Sequence, residues 1–398
     1  MKKADTWIKP RHKVATALLR HTLGLYSRLL YNIDVTPLPD SDKRAYIVLF
    51  NHQTAHDQFF ASLAFKQPIY YISSEDLYSN GFTSAVIQYL VAPIPIKKQT
   101  TDITAVKNAM RVAKEGGSIG LAPEGNRTMD GHLVYIKPSI AKLVKTLRLP
   151  VAVFRIEGGY GVHPRWSDVV RKGKMRGYVS RVIEPEELKG RSDEEILKIL
   201  VDEMNVDEVY DHAEYHHKKL AEYLERVIYV CPKCGLSEFE SHNDQITCKT
   251  CGLTATYHPN KTLSGVPYRF IADWYKAQTD FVNALDISPY METPMYTDTA
   301  NISEVIPCKK KVPLFKNAQL QLFGDRFEIH GDDSSLTLHF DDISVVTVLG
   351  KNKLNIYHKD KLYQFKSGKR FNALKYMNMY YHYNNLKEGN QNEQFLGL

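Results

Sequence analysis

Two short cysteine motifs constrain this chain more than any other feature. Cys231-Pro-Lys-Cys234-Gly235 and Cys248-Lys-Thr-Cys251-Gly252 stand thirteen residues apart. In each, a glycine follows the second cysteine, where a positive φ turns backbone N–H groups toward sulfur. Four thiolates then close a tetrahedral structural site, with zinc the expected metal and no open position for chemistry. A redox pair is the competing reading, but two knuckles are one more than a thioredoxin-like motif needs. Metal-type cysteine usage points to a reducing compartment, and Cys308, the remaining one of 5, is expected to be unpaired and inert.

The knuckles divide 398 residues into a long N-terminal part and a shorter C-terminal one, and each has a different pattern. Hydrophobic content of 43% and charged content of 24% describe a globular protein, excluding wholesale disorder. No apolar run approaches the ~18 residues of a membrane-spanning helix, and no cleavable leader is read at the start. The formal charge is +7, and residues 1–30 alone hold seven basic side chains against Asp5. A nucleic-acid binder spreads such charge across a folded face, so none is expected as partner. Apolar residues Val14, Leu18, Leu19, Leu23, Tyr26, Leu29 and Leu30 recur at helical spacing between these cations. Two readings follow. The helix lies in a membrane interface with its cations on anionic headgroups, or it packs on its own domain with a solvated basic face.

The chemistry gathers in residues 45–160. Ala45–Phe50 reads as a short buried strand, followed by Asn51-His52-Gln-Thr-Ala-His56-Asp57 and an apolar helical stretch from Phe59 to Phe65. Polar clusters at the carboxyl end of a strand are where open α/β sheets place ligands. His52 is expected on the loop, with Asp57 in the first helical turn reaching back to it. A carboxylate on one ring nitrogen fixes the tautomer and leaves the other free to take a proton. His56 is a rival base. Ser118–Leu121 reads as a second strand, running into Pro123-Glu124-Gly125-Asn126-Arg127-Thr128. Arg127 offers a planar fork suited to phosphate, and Gly125 lets backbone approach a ligand. A loop salt bridge between Glu124 and Arg127 is the plainer alternative. Lys97-Lys98 end a strand-like piece, and Leu149-Pro150 open another.

In this order, His52/Asp57, Lys97/Lys98, Glu124–Thr128 and Leu149-Pro150 resemble the four blocks of the PlsC-like glycerolipid acyltransferases, over roughly residues 10–215. The first and third blocks are the specific ones. A lysine pair stands where the family commonly has arginine, and Val153 replaces a second proline. Ala122 and Asn126 depart from the usual Phe and Thr. The resemblance implies an α/β domain with a central mixed sheet, in which His52, oriented by Asp57, deprotonates a lysophospholipid hydroxyl. The alkoxide attacks an acyl thioester of CoA or acyl carrier protein. Glu124, Gly125, Asn126, Arg127 and Thr128 would bind the acceptor's phosphate or headgroup, with Lys97 and Lys98 supporting the charge. Lysophosphatidate is the expected acceptor, phosphatidate the product, and a peripheral position on the cytoplasmic face of a membrane the expected location. Rivals are a catalytically silent lipid-binding scaffold on the same fold, and an acyltransferase with another acceptor.

The remaining chain resembles two further modules. The knuckles are similar to a zinc ribbon over 228–258. Acidic and apolar residues of 184–226 read as helix, ending an acyltransferase domain of 31–227; His212 and His216 would share one face. After a connector at 259–304 with a helix around Ile271–Leu285, short strands between 319 and 365 and a helix near Asn372–Tyr383 resemble a PH or GRAM-like module over 305–386. Lys351, Lys353, Lys366, Lys369 and Arg370 would meet anionic headgroups, or form a solvated face on a module that binds a protein partner. Residues 387–398 read as a disordered tail.

Overall fold

The computed structural model describes residues 6–78, 81–96, 102–306 and 310–389. These fall into two compact units. One comprises the described parts of Met1–Pro164 with Val170–Ala213; the other comprises Arg165–Val169, Glu214–Ile306 and the described part of Lys310–Leu398.

The first unit opens with helix α1 (Pro10–Tyr31), started by a proline whose missing N–H costs nothing in a first turn. Strands β1 (Ile33–Val35), β2 (Ile47–Phe50), β3 (Ile69–Ser74), β4 (Ile94–Ile96), β5 (Ser118–Leu121), β6 (Val151–Glu157) and β7 (Met175–Ile183) form one sheet in the order β1-β7-β6-β2-β5-β3-β4. It is mixed: β6 and β7 pair antiparallel, whereas the other neighbours run parallel. The β-branched run of β2 is buried at all four positions because helices cover both faces, as parallel strands require. On one face, α4 (Ile103–Lys114), α5 (Ser139–Leu147) and α8 (Asp193–Met204) contribute Ala109, Val112, Ile140, Val144, Ile196 and Leu200 to a core with Ile47, Leu49, Ile119 and Val153. On the other, α2 (Asp57–Ala64) packs over β1, β2 and β7, and α1 packs against α2 and α3 (Phe82–Val91). Short helices α6 (Gly159–Val162) and α7 (Pro185–Leu188) complete the unit. Because β2 and β5 are adjacent and parallel, the loops leaving their carboxyl ends emerge side by side, although some seventy residues separate them in sequence.

The apolar stripe of α1 does not form its packed side. Val14, Leu18, Leu25, Tyr26, Leu29 and Leu30 are exposed, while His12, Ala15, Ser27 and Tyr31 are buried. His12 and Tyr31 are held by polar partners, a His12 Nδ1–Tyr70 hydroxyl contact of 3.2 Å and a Tyr31 hydroxyl–His56 Nδ1 contact of 2.6 Å. Residues 205–223 are not the expected helix. Asp207 accepts the N–H groups of Val209 and Tyr210 in a tight turn, a local bond that competes with helix formation. His212 and His216 therefore share no helical face, and His216 pairs with Glu214 at the surface.

In the second unit, β8 (Val230–Cys231) and β9 (Gly235–Leu236) form a small hairpin; β10 (Phe239–His242), β11 (Gln245–Cys248), β12 (Thr254–Tyr257) and β13 (Leu263–Ser264) form an antiparallel sheet. Helix α9 (Ile271–Asn283) follows. Then β14 (Tyr296–Ile306), β15 (Lys310–Leu322), β16 (Arg326–His330), β17 (Ser335–His339), β18 (Ile343–Leu349), β19 (Lys353–His358) and β20 (Lys361–Lys366) form an antiparallel sheet in the order β17-β16-β15-β14-β20-β19-β18. Its last helix, α10 (Ala373–Glu388), packs on β18 and β19 and runs two residues into the expected tail. β14 begins within the expected connector and runs two residues past it, because its alternating burial pairs it with both β15 and β20. Residues 390–398 and Cys308 lie outside the described residues.

Candidate active site

The loop after β2 folds around a single carboxylate. Asp57, fully buried at the start of α2, accepts the backbone N–H of Gln53 at 2.7 Å, that of Thr54 at 2.9 Å and the Thr54 hydroxyl at 2.7 Å. Free N–H groups and the helix dipole favour negative charge at this end of α2. The same carboxylate lies 2.8 Å from Nδ1 of His52. An ionised oxygen accepts, so Nδ1 carries the proton and Nε2 offers a lone pair. The His52 side chain is 22% exposed, against 0% for Asp57, so the anchor is sealed and the imidazole reaches solvent.

The loop after β5 grips the backbone of that histidine. Glu124 accepts the His52 N–H through Oε1 at 2.5 Å and the Val134 N–H through Oε2 at 2.8 Å. Thr128 donates its N–H to the His52 carbonyl at 3.2 Å. Burial pushes the Glu124 carboxyl up to about 8, against the pull of its two N–H donors. Expected as headgroup contacts, Glu124, Asn126, Arg127 and Thr128 are all buried, and Gly125 alone of the five is exposed, with φ +69°. Arg127 faces inward, within electrostatic reach of Asp57 and Tyr31; burial lowers its pKa while both neighbours favour its charge. The structure therefore brings His52, Asp57, Glu124, Arg127 and Thr128 into one cluster. Lys97 and Lys98 lie outside the described residues.

His56 sits apart from this pair. Its Nδ1 meets the Tyr31 hydroxyl, its ring lies among Tyr26, Tyr31 and Phe59, and burial lowers its pKa. Two residues not singled out from the sequence also hold the site. Asn51 clamps β6, donating to the Ile156 carbonyl at 2.8 Å and accepting its N–H at 2.7 Å. Glu208 accepts the N–H groups of Gly158 and Tyr160 at 2.6 and 3.1 Å. Asparagine directly before His52 was the one available signal; Glu208 had none, as its partners lie some fifty residues away.

In the second unit, Cys231, Cys234, Cys248 and Cys251 converge with all four sulfurs within 4.8 Å of one another. The Cys231–Cys251 sulfur separation of 3.7 Å is close to the ~3.8 Å edge of a tetrahedron with metal–sulfur bonds of about 2.3 Å. All four are free thiols. Gly235 and Gly252 take φ +74° and +71°, the left-handed turn each knuckle needs. Of the expected headgroup cations, Lys351 pairs with Asp168 at 2.9 Å and Arg370 with the buried Glu225.

Residues 31–157 match the model of the family described as Acyltransferase, less than half of the chain. That segment carries His52, Asp57 and the whole Glu124–Thr128 loop. Among solved structures, the chain is similar to the 1-acyl-sn-glycerophosphate (LPA) acyltransferase PlsC from Thermotoga maritima, with 22% identity over 50% of this chain and 80% of that one and a TM-score of 0.41. A likeness this distant identifies neither substrate nor reaction. No curated protein matches. No helix among the described residues is long and apolar enough to cross a membrane.

Proposed function

We propose that this chain is a membrane-surface O-acyltransferase that moves an acyl group from a CoA or acyl carrier protein thioester to a lysophospholipid hydroxyl, most simply lysophosphatidate to phosphatidate. The observation that carries the reading is the imidazole held at 2.8 Å by a fully buried carboxylate, in the segment that matches the acyltransferase family. Nε2 of His52 takes the hydroxyl proton as the alkoxide oxygen bonds the acyl carbon. The carbon–sulfur bond breaks, and the leaving thiolate recovers that proton from the imidazolium. Among side chains, imidazole is the one whose unperturbed pKa, about 6.5, suits such general-base work at neutral pH. The Glu124–Thr128 turn acts on the acceptor mainly through its exposed Gly125 backbone and through the charge of Arg127, while Glu124 holds the base in place. Lys97 and Lys98 would add charge for the acceptor's phosphate.

The exposed apolar side of α1, flanked by cations, supports a peripheral seat on a bilayer. Zinc fits the four-cysteine cluster and would serve there as a structural cross-link. For the seven-stranded sheet with its closing helix, a PH-like module is the reading we favour. Transfer of labelled acyl groups from acyl-CoA to a panel of defined lysolipids tests the proposal. Wild type should exceed H52A by about 10²–10⁴-fold on its preferred acceptor. Equal rates at background level would leave a lipid-binding scaffold.

A further inference from the structure

A groove of about 330 Å³ opens beside α1, away from the His52 loop, lined by Arg20, His21, Gly24, Leu25 and Arg28 of α1, Ile33 and Val35 of β1, and Leu63 of α2. Leu63 stands six residues from Asp57, roughly 9 Å along the helix axis. The lining has two chemistries. Leu25, Ile33, Val35 and Leu63 supply apolar surface, whereas Arg20, His21 and Arg28 supply cations and donors, and no acidic side chain contributes. Neither arginine side chain makes a hydrogen bond or ion pair among the described residues. At about 100° per residue, Arg28, His21 and Gly24 lie on the flank of α1 beside the exposed stripe of Val14, Leu18, Leu25 and Leu29, and Leu25 belongs to both.

We propose that this groove binds one anionic phospholipid of the bilayer, as a site separate from the catalytic loops. Guanidinium forks of Arg20 and Arg28 hold its phosphate, and the chain nearest the headgroup lies along Leu25, Ile33, Val35 and Leu63. The continuous apolar stripe beside the cations selects a lipid over a soluble anion, since only a molecule anchored in the same acyl layer meets both surfaces. The absence of a side chain at Gly24 keeps the groove open: a Cβ there would meet Leu63 at an ordinary 3.6 Å, and a longer side chain would extend into the cavity. The proposal rests on the membrane-surface reading of α1, not on the identity of the reaction.

Full-length protein is tested for co-sedimentation with phosphatidylcholine vesicles with and without phosphatidate, and in parallel for acyl transfer to detergent-dispersed lysophosphatidate. R20A/R28A should lose at least tenfold of the gain that phosphatidate confers, with transfer in detergent unchanged. G24L, which keeps every charge, should lose the same gain. Retention of the gain by G24L would reduce the effect to general charge attraction and overturn the site. A parallel loss of transfer in detergent would make the groove the acceptor site instead, overturning its separateness. Release of wild type by inorganic phosphate would make a soluble anion the occupant and overturn the lipid assignment. If wild type shows no transfer at all, the reaction assignment fails while the sedimentation arms still decide the groove.

Discussion

Asp57 accepts from two backbone N–H groups, a hydroxyl and the imidazole, so its position is fixed before any substrate arrives. D57N replaces one acceptor oxygen with a donor facing those groups and lets the ring take the other tautomer. Transfer should fall by about 10²–10⁴-fold in kcat, with a much smaller change in KM for the thioester, in steady-state assays. Glu124 makes a prediction about pH. Its carboxyl is raised from the ordinary 4.5 to about 8 by burial, so between those values the folded chain holds a proton that the unfolded chain has lost. Its contribution to stability is therefore full below about 4.5 and disappears as pH rises through about 8. Melting temperature should decline between about pH 5 and 8, and E124Q, whose side chain has no proton to release, should flatten that decline. At this scale the sequence exposes only what is local. His52 and Asp57 are five residues apart and their pairing could be read. Glu124 looked like a ligand group, since nothing in the sequence shows that the His52 backbone, 72 residues away, takes one oxygen.

Elements were legible wherever one period ruled. The short apolar runs of β2, β5 and β6 and the spacing in α9 identify themselves, and β16 to β20 fall in the stretch where short strands are expected. What failed was 205–223, where an aspartate turn outcompetes a helix that the apolar spacing allows. The orientation of α1 was also hidden, because its burial rests on His12, Ser27 and Tyr31 rather than on its leucines. Buried His12 is held neutral, its pKa lowered by burial and by neighbouring Arg11 and Lys9. An unfolded histidine takes up a proton below about 6.5, which the packed one resists. The attachment of α1 should thus weaken as pH falls below 6.5, seen as faster amide exchange along Pro10–Tyr31 than in β2. A second test concerns the exposed stripe: L18E/L29E should weaken vesicle binding by well over tenfold, since each leucine forfeits roughly 1.5–3 kcal/mol of burial.

For the whole molecule, the two units depend on different things. The first has a conventional apolar core between sheet and helices. The cysteine cluster belongs to the second, where a metal held by those thiolates would couple binding to folding. Chelation should lower only one of two calorimetric transitions and leave the initial rate of acyl transfer by the full chain within about twofold. Loss of that rate on chelation would assign the metal a part in chemistry. The boundary between the two units is not visible in the sequence. Arg165–Val169 joins the second unit because Arg165 donates to the carbonyls of Gly350 and Val348, a pairing no local pattern announces.

The leucine ridge of α1 is already helical and already bare. Many amphipathic segments fold only as they adsorb, and their arrival shows a slow coil-to-helix phase and a rise in circular dichroism at 222 nm. Here adsorption should be single-exponential and optically silent at that wavelength, its speed set by encounter and by gaps between lipid headgroups.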